Sequence, residues 1–310
     1  MNNEVTVSYT KEIIFSRRAF FSLKKNIQWS EEILGLTAVR DTDAVKKGEG
    51  IKVAVLDTGI DYKHSDLAPN IKGGISIVDD YSTDFMDVNS HGTHCAGIIG
   101  AIENETGVTG VAPKCDIYGV KVLGSGGSGS YDSIAKGIYW AIENHMDIIS
   151  MSLGGSQDYL PLHLAVTSAT NKGIWVVCAA GNESEGDATT MERSYPGMYP
   201  EVVSVAASDK FNHIAYFSNN NDEIDITAPG VNIISTIPDN KYASYSGTSM
   251  ACPLISGVLA LMKGEKYDLK FEDAKRLLFE TADDFGKVGK DVSFGYGIVD
   301  PKEIFDKLKG

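Results

Sequence analysis

Residues 51–56 (IKVAVL) form an apolar run of strand length interrupted only by Lys52, the pattern of a strand buried on both faces. Residues 117–122, 147–150, 174–179 and 202–206 repeat it. Between them, 133–144 and 160–171 carry helical spacing, and 249–262 is small and apolar almost throughout, which predicts a buried helix. Strands alternating with helices predict an α/β fold with a mostly parallel central sheet and helices on both faces. Before about residue 46 this pattern is missing. Residues 1–45 mix charges, with the basic stretch Ser16-Arg17-Arg18 and the pair Lys24-Lys25. They read as an N-terminal extension ahead of one large domain, 46–310.

Charge narrows the partners. The chain has 28 basic and 42 acidic residues, a formal charge of −14. Phosphate recognition needs clustered Lys and Arg, so neither nucleic acid nor an anionic membrane is expected as a partner. No apolar run approaches the roughly 18 residues that span a bilayer. Ala19-Phe20-Phe21 is too short for the apolar core of a secretion signal. A cytoplasmic protein is therefore expected. The four cysteines (95, 115, 178, 252) are scattered, without metal-ligand spacing, and reduced thiols are expected.

Four short segments carry candidate chemistry. Asp57-Thr58-Gly59 follows the first strand, where parallel sheets collect functional groups, although an Asp there also caps turns. His91-Gly92-Thr93-His94 opens a small-residue apolar stretch. Its two histidines lie three apart with no Glu between, so the zinc-helix pattern H-E-x-x-H does not apply. A base and a structural histidine both remain open for His91. Gly247-Thr248-Ser249-Met250-Ala251 suits a nucleophile at a helix N-terminus, whose N–H groups favour a developing oxyanion, and equally suits a plain Ser cap. Ala179-Ala180-Gly181-Asn182 ends a strand with an amide donor.

Together these segments resemble the subtilisin family, in which the order along the chain is Asp, His, Ser. The resemblance covers roughly residues 35–300. It implies the subtilisin-like three-layer fold and a serine endopeptidase acting through an acyl-enzyme. Asp57 would orient His91, His91 would activate Ser249, and Asn182 would donate to the oxyanion. It also implies a substrate groove between Gly126-Gly127-Ser128-Gly129 and Ser152-Leu153-Gly154-Gly155. Leu123, Tyr131, Ile134 and Leu153 would line apolar subsites, and Ser194 would floor the main specificity pocket. Broad cleavage after bulky apolar residues is expected.

The same resemblance implies a structural calcium ion held by Asp66 and the loop residues Ile102, Asn104, Thr106 and Val108. The opening MNNEVTVSYTKEI is most similar to intracellular subtilisins, whose extension crosses the active site and is removed on activation, and which are commonly homodimers. A zymogen cut between Phe15 and Trp29 is expected. Val7-Ser8-Tyr9 departs from that group by lacking a Pro, and Leu254 stands where the family usually has His, from which altered packing follows. Intracellular leader peptidases that mature lantibiotic-type precursors are the alternative branch.

Overall fold

The computed structural model describes residues 4–16, 29–42, 46–187 and 189–309. In chain order the strands are β1 (Glu4–Thr6), β2 (Thr10–Ser16), β3 (Lys52–Asp57), β4 (Ile71–Ser76), β5 (Asp116–Lys121), β6 (Ser128–Ser130), β7 (Ile148–Met151), β8 (Trp175–Ala179), β9 (Val203–Ser208), β10 (Ile226–Pro229), β11 (Ile233–Ile237) and β12 (Lys241–Ser246). The helices are α1 (Trp29–Ile33), α2 (Leu36–Arg40), α3 (His91–Gly100), α4 (Tyr131–Glu143), α5 (Leu160–Asn171), α6 (Thr248–Glu265), α7 (Phe271–Glu280) and α8 (Pro301–Lys309).

Seven strands make one sheet in the order β10-β9-β8-β7-β3-β5-β4, and every pairing in it is parallel. The apolar runs follow from burial on both faces. Along β3, Val53 and Val55 join one core cluster while Ala54 and Leu56 join the other, as period-two alternation requires. The first cluster packs α3 and α6 on one face, and the second packs α4 and α5 on the other. The expected three layers are present. Strand order reverses around β3, so the crevice beyond its carboxyl end is where an open parallel sheet puts its site. Among the described residues no helix is long and apolar enough to cross a membrane.

The segment before residue 46 does not stand apart. Leu34, Leu36 and Val39 are buried in the first core cluster. Strand β1 pairs antiparallel with β6, and β2 adds a third strand beside β12, from Thr10↔Ser246 to Ser16↔Lys241. The expected cut between Phe15 and Trp29 falls mainly on residues 17–28, outside the described residues. Leu254, in place of a His, is buried in the first cluster, so the departure is absorbed as apolar packing.

Candidate active site

Three strand ends and two helix starts converge. Asp57 is the last residue of β3, Ser152 follows β7, Asn182 lies beyond the end of β8, and Ser249 is the second residue of α6. His91 is the first residue of α3. Its Nδ1 lies 2.8 and 2.9 Å from the two Asp57 oxygens, and both side chains are essentially out of solvent. Its Nε2 is buried and makes no hydrogen bond among the described residues. The Ser249 hydroxyl is turned from it and donates to the Ser152 carbonyl at 3.2 Å.

The start of α3 is held by residues whose part the sequence does not disclose. Asp87 accepts from Asn89 N (2.8 Å), Ser90 N (3.0 Å), Thr93 N (3.0 Å), Thr93 Oγ1 (2.6 Å) and Thr58 Oγ1 (3.0 Å). Burial raises its pKa, and these donors oppose the rise. Thr58 Oγ1 in turn accepts from Gly92 N at 3.0 Å. An Asp shortly before a helix is an N-terminal signal, and Asp87-Val88-Asn89-Ser90 is readable as one.

In the sequence, Pro253 reads as an early, unbonded helical position. The helix begins at Thr248, so Pro253 lies past the first turn. Its missing N–H frees the Ser249 carbonyl, which instead accepts from Ser152 Oγ at 2.9 Å and Cys95 Sγ at 3.4 Å. Ser152, expected in the groove wall, therefore braces Ser249. Cys95 lies 3.9 Å from His91 Nδ1, yet burial, with Asp57 nearby, pushes its thiol well above the usual range. A thiol kept protonated is a weak nucleophile, so Cys95 serves as packing.

Asn182 is aimed by Thr248, 66 positions away. Its Oδ1 accepts from Thr248 N (2.8 Å) and Thr248 Oγ1 (3.0 Å), which turns Nδ2 outward. Gly181 before it has φ +106°, and a Cβ there would collide with Asn219, Glu183 and Ser194. Around Asn182 lies a pocket lined by Leu153, Gly154, Gly181, Glu183, Ser194 and Ser249. Glu183 carries no local signal of its place there; burial raises its pKa, and Asn219 binds its carboxylate at 2.6 Å.

The groove is filled by the chain's own N-terminus. Glu4, Val5 and Thr6 pair with Ser130, Gly129 and Ser128. Thr6 exchanges both backbone bonds with Gly154 (3.0 and 3.1 Å), and Val7 N donates to Gly127 O at 3.0 Å. Val5 is fully buried in the cluster that holds Leu123, Tyr131, Ile134 and Leu153. Asn182 Nδ2 donates to the Ser8 carbonyl at 2.5 Å. Tyr9 then lies 4.8 Å from the His91 ring and 4.6 Å from Tyr245.

The expected calcium residues also gather. Asp66 is fully buried, Ile102 N donates to its carbonyl at 2.8 Å, and its carboxylate accepts from Asn104 Nδ2 (3.3 Å), Val108 N (3.2 Å) and Tyr242 Oη (2.8 Å). Gly107, at φ +70°, leaves the space beside that carboxylate that a Cβ would fill. No basic side chain is paired with Asp66 among the described ion pairs.

A buried carboxylate–imidazole pair, a serine at a helix start and a peptide laid between two strand edges define a serine endopeptidase. Residues 48–297 match the model of the subtilase family. The chain is 55% identical over 220 residues to the "Intracellular serine protease" of Paenibacillus polymyxa, covering 70% of this chain and 68% of that protein. It is 48% identical over 236 residues to the "Major intracellular serine protease" of Bacillus subtilis, covering 74% of each, and 48% identical over 216 residues to subtilisin E of the same organism, 69% of this chain and 56% of that protein. The chain belongs to the subtilase family, and it hydrolyses peptide bonds in peptide or protein substrates.

Proposed function

We propose that Ser249 is the nucleophile, His91 the general base and Asp57 the group that orients it. The observation that carries this is the Asp57–His91 pair at 2.8 Å, with Nε2 left as a buried acceptor beside a peptide whose carbonyl rests on Asn182. A buried ring nitrogen without a partner costs about 1–3 kcal/mol, a cost the Ser249 hydroxyl removes once it rotates in. His91 Nε2 then takes the hydroxyl proton as Oγ attacks, and returns it to the leaving nitrogen. Asp57 fixes the proton on Nδ1 and stabilises the imidazolium. Asn182 Nδ2 and the Ser249 backbone N–H, at a helix start, receive the oxyanion.

In Asn182→Ala, kcat is expected to fall by about 10²–10³ with KM little changed, because the donor acts mainly on the transition state; roughly 3–4 kcal/mol is lost, as for the same donor in subtilisin. Steady-state kinetics on a chromogenic peptide checks this.

The pocket by Ser194 and the apolar cluster around Val5 suit bulky apolar residues before the cut, and a broad range of proteins as substrate. The names of the relatives favour such an intracellular, cytoplasmic protease over a leader peptidase. Casein and a lantibiotic-type leader peptide, offered in parallel to the processed enzyme, decide between them. Digestion of the leader alone would reject the broad reading.

The segment 4–9 acts as an inhibitory extension, since it fills the groove that a substrate needs. The acidic surface argues against nucleic acid or membrane as partner, and a homodimer is the assembly the resemblance suggests. Asp66, with Asn104 and the carbonyls of Ile102, Thr106 and Val108, would hold a calcium ion. The donor set is all oxygen, as calcium requires, and the ion would tie the end of α3 to Asp66. A chelator is expected to lower the melting temperature by several degrees, restored by calcium and not by magnesium. An unchanged melting curve would reject the site.

A further inference from the structure

Two sheet edges, not one, receive a chain that passes the catalytic residues. Ahead of Asn182, Thr6 bonds to Gly154 and Val7 to Gly127, and the Ser8 carbonyl then rests on Asn182 Nδ2. Past Asn182 the chain does not leave the surface. From Thr10 to Ser16 it pairs antiparallel with β12, Thr10 against Ser246, Lys11 against Tyr245, Ile13 against Ser244 and Ser16 against Lys241. Glu12 is the extra residue of a bulge between Lys11 and Ile13. The track for a polypeptide is therefore continuous, with β6 and Gly154 on one side of the oxyanion donor and β12 on the other.

Strand β12 is shaped to be paired on both sides. Strand β11 takes one edge, from Ile233↔Tyr245 to Ile237↔Lys241. Tyr242, Ala243 and Tyr245 are fully buried, so the strand is held rigidly by its side chains while its second edge offers backbone groups. A chain in the groove reaches that edge without turning. Tyr9, the first residue past the carbonyl on Asn182, already lies 4.6 Å from Tyr245 of β12. Any polypeptide with its carbonyl on Asn182 and its direction set by β6 is delivered to the same edge. Pairing through the backbone does not depend on the side chains of the segment that pairs.

We infer that β12 is a substrate-binding edge, to which the leaving side of a polypeptide adds as a strand from the second to the eighth residue after the cut. The inference deepens the endopeptidase reading and rests on Ser249 as nucleophile and Asn182 as oxyanion donor. The substrate takes the places of residues 4–16, roughly 40 Å of extended chain. Strands in folded proteins are usually about 3–10 residues long and already paired, so a folded substrate cannot lie along the track. The substrate class is unfolded polypeptide, read by length and extension beyond the cut. Each backbone bond to β12 contributes a factor of about 2–10, and the cost of ordering the chain offsets part of the total. These bonds lie away from the reacting atoms and hold ground state and transition state alike, so they lower KM and leave kcat little changed.

A nested series of peptides tests this. All share one sequence before the cut and differ in leaving sides of two, four, six, eight and twelve residues. They are given to the full chain after incubation has brought its rate on the two-residue member to a steady value. From two to eight residues kcat/KM is expected to rise about 10–100-fold, mainly through KM, and to level off at twelve. Single N-methyl groups along the eight-residue leaving side each remove one backbone donor. They are expected to abolish part of the gain at every second position, with the alternation broken at the fourth residue, where the bulge falls. The free peptide of residues 10–16 is expected to inhibit cleavage of the eight-residue member and to spare the two-residue member. A flat series overturns the edge. A gain that N-methylation reduces equally at all positions, or at none, overturns strand addition. Equal inhibition of the short and long members by the free peptide overturns the placement on β12. Undiminished cleavage of the two-residue member by Ser249→Ala refutes the nucleophile assignment instead.

Discussion

Ser249→Ala lowers kcat by about a million-fold, the loss that accompanies removal of the nucleophile in subtilisin, while leaving the fold in place. On the proposed assignment the loss is this large because the hydroxyl takes part in bond making. Without it a general base at His91 would have no proton to accept, and only an oxyanion donor at Asn182 and the groove would still act on the substrate. The structural cost is small. Ser249 Oγ gives one bond to the Ser152 carbonyl at 3.2 Å, worth about 1 kcal/mol. The bonds that shape the start of α6 come from the Ser249 backbone, through Ser152 Oγ and Cys95 Sγ, and persist in alanine. Circular dichroism and thermal unfolding should therefore match the parent. A variant retaining more than about a thousandth of parental kcat would show that another group attacks.

The parts of this site legible in the sequence are those carried by local pattern. The apolar run Val53–Leu56 directly before Asp57 reads as a buried strand, and 160–171 reads as a helix with its observed ends. The helix from Ser249 onward is legible because its residues are small and apolar. The features that escape a reading of the sequence depend on residues far apart. Strand β4 contains Gly73 and Gly74 and lacks a continuous apolar run; Gly74 is needed because Gly119 and Phe85 pack where its Cβ would stand. Strand β12 (KYASYS) lacks an apolar run and is a strand because β11 and β2 flank it. Nothing local shows that Thr248 turns Asn182, or that Asp87 ties Thr58 to α3. The role of Ser152 emerges only once Pro253 is seen to leave a carbonyl unpaired. The extension is legible as an extension, but its register comes from backbone bonds to β6 and Gly154, and backbone bonds carry no side-chain signature.

Acid should undo this protein through His94, one residue short of a full turn beyond His91. The ring is fully buried, stacked on Tyr245 at 4.2 Å, with Nε2 3.0 Å from the Ala243 carbonyl. Burial drives its pKa from 6.5 down to about 3, and the positive charge of a protonated His91 adds to that. In the unfolded chain the ring titrates near 6.5. As pH falls below that value the unfolded state takes up a proton that the folded state refuses. Stability is therefore complete above about pH 6.5 and is lost progressively toward about pH 3, by up to about 5 kcal/mol. That is a large share of the roughly 5–15 kcal/mol typical of a folded domain. Asp87 and Asp225 work in the opposite sense, since burial raises their pKa values and their protonation on acidification favours the folded state. Urea unfolding in the Ser249→Ala background, which removes self-digestion, measures the balance at about pH 7 and about pH 4, on either side of the His94 transition in the unfolded chain. His94→Gln keeps a donor toward Ala243 and cannot titrate. It should be less stable than the parent near neutrality yet lose much less between the two pH values. Equal losses in the two chains would mean that the acid sensitivity lies in the carboxylates and that His94 is a bystander.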